Sequence, residues 1–68
     1  MNIYKMSEQE LRAYAHEMGL CGGSVETLIH RVLHGRSWTM IADITKYSYR
    51  GIRHHRKQIM SKLGMEKL

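Results

Sequence analysis

Residues 37–64 read SWTMIADITKYSYRGIRHHRKQIMSKLG, and the interpretation of this stretch decides the fold. Ser37 is a good helix N-cap, because its hydroxyl oxygen accepts one of the orphan backbone N–H groups of a first turn. Ile41 and Ile44 follow three residues apart, on one side of a short helix over 38–45. Thr45, Lys46 and Tyr47 form a turn, with Tyr47 as its apolar plug. Ser48 then caps a second helix over 49–63, and Gly64 ends it as the residue type best able to take positive φ just past a helix. Ile52, Arg56, Ile59 and Leu63 share one face of that helix, while Arg50, His54, Lys57 and Ser61 share the opposite one. A short capped helix, a tight turn and a longer helix that is apolar inside and cationic outside make a helix-turn-helix pattern.

Working toward the N-terminus, Val25, Leu28, Ile29, Val32 and Leu33 recur at i, i+3, i+4, i+7 and i+8, the apolar stripe of a central core helix. Ser24 is its expected cap, Gly35 ends it, and its span is 25–34. Leu20 to Gly23 is a loop. Ser7-Glu8-Gln9-Glu10 has the spacing of a capping box, in which Ser7 and Glu10 each satisfy the other's backbone amide. It opens a first helix over about 8–18, with Leu11, Tyr14, Ala15 and Met18 on the core face and Gly19 as its stop. Residues 1–6 are a weakly patterned lead that either packs as an extended tail through Ile3 and Tyr4 or frays. The expectation is a single all-α domain over 1–68, with four helices and the recognition helix at 49–63.

At 68 residues the chain buries a modest core and is only marginally stable. Its one cysteine, Cys21, allows no intrachain disulfide and suits a reducing cytosol, so a cytoplasmic location is expected. No apolar run approaches the ~18 residues of a membrane span, which argues against a membrane partner. The formal charge of +5 is unevenly placed. Residues 1–45 carry four cations against five carboxylates, whereas residues 46–68 carry seven cations against Glu66 alone. Segregation of this kind on one helix is the footprint of a phosphate-binding surface.

From Thr27 to Met65, without a gap, the chain resembles the LuxR/GerE-type helix-turn-helix of bacterial transcription regulators. The resemblance is carried by Leu28, Ile29, Val32 and Leu33, then Gly35, Ser37, Ile41-Ala42 and Ser48, then Ile52, His55-Arg56 and Ile59, and finally Lys62-Leu63-Gly64 with Met65. It implies a core over about 25–65, double-stranded DNA as partner, and transcriptional control in a bacterium or its phage. By position it implies that Arg53, His54 and Lys57 face base edges. It also implies that Trp38, Ser48, Tyr49, Arg50 and Arg56 approach phosphates. Lys46 and Lys62 add to the phosphate-neutralising set, and Arg53 and Lys57 are suited to guanine O6/N7 or similar acceptors.

The chain departs from that pattern at Thr45, where the family usually has an apolar residue, and at Gly51, where it often has Thr. A mid-helix glycine costs about 1 kcal/mol against alanine. The family commonly adds a helix after Lys-Leu-Gly and dimerises through it. Here the extra helix lies at the front and is expected to supply the missing core cover, which leaves a homodimer open. A rival from another class is also open: the same fold resembles the last domain of sigma factors, an adaptor that docks on RNA polymerase or an anti-sigma partner.

The remaining chemistry-bearing residues have plainer assignments. His30 and His34 are four apart on one helix, a spacing that can hold a metal, but no third ligand is placed with them, so polar-face histidines and no metal are expected. His55 is a packing or phosphate-touching residue, and Trp38 is either core or edge-on to a phosphate backbone. Cys21 has no histidine or helix terminus nearby to activate it. No phosphate loop, carboxylate pair or triad is present, so neither an enzyme, a catalytic residue nor a cofactor is expected.

Overall fold

The structure, a computed structural model, describes residues 2–68. After a 3-10 turn over Ile3–Lys5 come four helices: α1 (Glu8–Glu17), α2 (Gly23–Leu28), α3 (Trp38–Thr45) and α4 (Tyr49–Leu63). α2 runs directly into a π-helical turn, Ile29–Leu33. The whole measures 29 × 21 × 21 Å.

α4 packs mainly against α2 and, at its N-terminal half, against α3. α1 closes the other side of α2 and its π turn. The main core joins Leu11 and Ala15 of α1, Leu20 of the loop that follows it, Val25 and Leu28 of α2, Ile29 and Val32 of the π turn, and Ile59 of α4. Ile41 of α3 and Ile52 of α4 are also fully buried. The front helix thus supplies core, as its apolar face requires. Burying one leucine is worth about 1.5–3 kcal/mol relative to leaving it exposed. Ile3 joins the same core, while Tyr4 stays exposed. The lead is therefore a packed turn rather than an extended tail, with Asn2 Oδ1 accepting from the Tyr4 amide at 3.0 Å.

Capping follows the sequence at three of four helices. Ser7 Oγ accepts from Glu10 N at 3.2 Å and Glu10 Oε1 accepts from Ser7 N at 3.0 Å, which completes the box. Those bonds hold the Glu10 carboxyl below the usual carboxylate range. Ser37 and Ser48 cap α3 and α4. Gly64 ends α4 with φ 66° and donates its N–H back to Met60 O. The fourth cap differs. α2 begins two residues early, with Gly22 in the cap position at φ 57°, and Ser24 lies buried inside the first turn. Two flexible glycines let the backbone enter the helix before the serine, which frees its hydroxyl for a tertiary contact.

Other expectations are corrected by exposure. Met18 lies just beyond α1 and is exposed. Ile44 is 45% exposed: on α3 only the side carrying Ile41 meets the core, so the second isoleucine turns outward. Tyr47 is 38% exposed and covers the turn from outside instead of plugging it. The helix expected over 25–34 runs from Gly23 to Leu33, and widening its second half into a π turn leaves Leu33 only partly buried.

Candidate nucleic-acid interface

The turn between α3 and α4 is built by short polar side chains. Ser37 Oγ accepts from Met40 N at 3.2 Å to start α3. At its end Thr45 Oγ1 donates to Ile41 O at 2.6 Å and accepts from Tyr47 N at 3.4 Å. This is the work of the hydroxyl at the position where an apolar residue was expected. Lys46 reverses the chain in the left-handed region, φ 64°, as the one non-glycine residue with positive φ among the described residues. A left-handed lysine costs about 1–2 kcal/mol, and the surrounding caps hold it there. Ser48 Oγ then accepts from Gly51 N at 3.1 Å and starts α4.

Burial of Ile52 and Ile59 fixes how α4 is rotated. Arg50, Arg53, His54 and Lys57 consequently face outward and line one shallow depression of about 250 Å³. All four are exposed. None of the four takes part in an ion pair or a side-chain hydrogen bond among the described residues. Three arginines elsewhere are engaged. Arg12 bonds Glu8 at 3.1 Å and Glu26 at 2.7 Å, tying α1 to α2 and holding the Glu26 carboxyl low. Arg36 meets His30 Nδ1 at 2.6 Å. Arg31 donates to the carbonyls of Arg36 at 3.0 Å and Leu68 at 3.2 Å.

A second recess, about 280 Å³, adjoins the first and is lined by Trp38, Tyr49, Ile52, Arg53 and Arg56. Trp38 is half-buried, outside the main core, with the Arg31 guanidinium 4.7 Å and the Arg56 guanidinium 5.6 Å from its ring centre. Cation–π attraction of this kind orients guanidinium groups on a surface. Arg53 lines both recesses, so the α3 N-terminus and the outward face of α4 form one continuous cationic surface.

Of the ten residues expected to meet DNA, the two recesses gather Trp38, Tyr49, Arg50, Arg53, His54, Arg56 and Lys57. Lys46 is exposed in the turn next to them. Ser48 has its hydroxyl engaged in the cap. Lys62 is not brought to this surface: its side chain lies about 3.7 Å from where a Cβ on Gly19 would stand, beside the C-terminal end of α1. There the partial negative charge of the helix end attracts it.

The sequence missed two contacts. His55 is a packing residue wedged between α4 and the start of α2, with Nδ1 3.1 Å from Ser24 Oγ and its ring 5.2 Å from that of Tyr47. Burial, followed by the neighbouring His54, pushes its pKa down. Burial and then Arg36 do the same to His30. The Arg31 guanidinium over Trp38 is the other, and Arg31 stands in the π turn. Among the described residues no group of three or more His, Cys, Asp or Glu could hold a metal, and no helix is long and apolar enough to cross a membrane. No protein-family model matches the chain, and comparison with curated proteins and with solved structures found no match.

Proposed function

We propose that this chain is a sequence-specific, double-stranded-DNA-binding regulator of transcription, acting in the cytoplasm of a bacterium or phage-infected cell, and not an enzyme. One observation carries the reading: α4 presents Arg50, Arg53, His54 and Lys57 together, exposed and without protein partners, on the outer side of a capped helix-turn-helix. An exposed helix of this diameter fits the major groove of B-form DNA. Lys46, Arg56 and the Trp38 recess flank it where phosphates would lie, and such contacts set register and orientation. The motif resemblance over Thr27–Met65 points the same way. The test is a gel-shift or anisotropy titration of the chain against mixed-sequence duplexes. Retention at low salt that weakens as salt rises supports the reading, and no retention at any salt contradicts it.

A second reading, a sigma-like adaptor for RNA polymerase or an anti-sigma partner, is favoured by Met40 and Ile44. They lie one turn apart on α3 and are 50% and 45% exposed. Phosphates would not cover such a strip, whereas an apolar protein surface would. Pull-down of purified polymerase that is lost in Met40→Ser/Ile44→Ser, with duplex binding intact, separates the two readings.

A further inference from the structure

We infer that the duplex this surface prefers carries guanines at adjacent base steps, read through their N7 and O6 acceptors by Arg50, Arg53 and Lys57; the inference rests on the duplex-binding reading above. The argument is one of donor and acceptor count. Arg and Lys side chains only donate, and His54 offers one donor and one acceptor when neutral. The fifteen residues of α4 contain no Asp or Glu, and the single amide, Gln58, does not line the depression. The reading face therefore has almost nothing with which to accept a hydrogen bond.

The major-groove edges of the four bases are not equal before such a face. Cytosine presents only an amino donor there, so a donor facing it leaves both groups unpaired. Adenine presents one acceptor beside a donor, and thymine one acceptor beside a methyl group. Guanine alone presents two acceptors side by side, which match the fork of an arginine or a lysine ammonium. An unpaired buried donor is costly, so the mismatch discriminates as strongly as the match attracts.

Spacing extends the argument from one base to several. Arg50 and Lys57 are seven residues apart, roughly 10 Å along the helix axis. Base steps are about 3.4 Å apart. The donors thus cover about three successive steps, with Arg53 between the ends. All three also start free: none must break an ion pair or a hydrogen bond with this chain to reach a base.

The experiment selects duplexes from a pool with a randomised centre, using the full chain, then resynthesises the best binder with 7-deazaguanine. That base lacks N7 and leaves pairing and phosphates unchanged. The expected winner has guanine at two or more adjacent central steps, and the deaza version binds about tenfold or more weakly at the same salt. Arg53→Ala and Lys57→Ala, with helical circular dichroism retained, should shrink that ratio toward one. Winners lacking central guanines, or a deaza duplex bound as tightly as the natural one, overturn the inference while leaving duplex binding in place. Failure to retain any duplex, even at low salt, overturns both.

Discussion

Gly23 and Gly51 both sit in the first turn of a helix, yet replacing each with alanine should have opposite effects. A Cβ on Gly23 would stand 2.5 Å from His55 Nε2, 2.8 Å from its Cε1 and 3.1 Å from the Tyr47 hydroxyl. The imidazole cannot swing away freely. Its Nδ1 is bonded to Ser24 Oγ, and Ser24 is 7% exposed, so displacing the ring strands a buried hydroxyl. Overpacking of this kind costs about 1–3 kcal/mol. The intrinsic preference of a helix for alanine over glycine returns at most about 1 kcal/mol. Gly23→Ala should therefore lose about 1–2 kcal/mol and lower Tm by roughly 5–15 °C for a domain of this size. Thermal and urea melts followed by circular dichroism measure it, and the double variant with His55→Ala should recover the part due to the clash. A Gly23→Ala chain as stable as the parent would show that His55 is not fixed against α2.

At Gly51 the nearest atoms to a new Cβ are Ser48 Oγ at 3.4 Å and Tyr47 Cβ at 3.8 Å, ordinary contacts, so Gly51→Ala should stabilise by about 0.5–1 kcal/mol in the same melts. Leu11 is fully buried against the core, and Leu11→Ala should cost about 2–5 kcal/mol; an unchanged urea midpoint would mean that α1 is an appended arm. His30 and His55 have folded pKa values below the ordinary histidine value, so the unfolded chain binds their protons first as pH falls. Their contribution is full above the unfolded value of about 6.5 and is lost as pH drops from there through the lower folded values. Tm measured from pH 8 to pH 5 should thus decline, and less so in His55→Gln.

The elements that were legible in the sequence are those whose signals are local. A serine that caps a helix's first turn, or a glycine after the last apolar residue, acts within four residues, and Ser7, Ser37, Ser48 and Gly64 do what their positions imply. The outward face of α4 was legible because a single stripe, Ile52 and Ile59, leaves one choice of inner side. Ser24 misled because a capping residue beside two glycines has a competitor: the backbone itself can start the helix earlier. Ile44 misled because a short helix offers its neighbours less than the full width of its apolar stripe, and Met18 because α1 stops at Glu17, one residue before it. The placement of His55 against Ser24 depends on long-range packing, and that of Arg31 at Trp38 on the path of the π turn and the loop after it; no capping or periodicity signal encodes either.

The central claim is that the outward face of α4 binds duplex DNA through free cations. The most direct measurement is the affinity of the chain for one duplex across a range of salt, compared with Lys46→Ala and Arg56→Ala. About four or five phosphate contacts from this face give a slope of log K against log salt near −4. Each of the two variants should reduce the magnitude of that slope by about one while helical content is retained. A slope near zero, or a slope the two substitutions leave unchanged, would contradict the account.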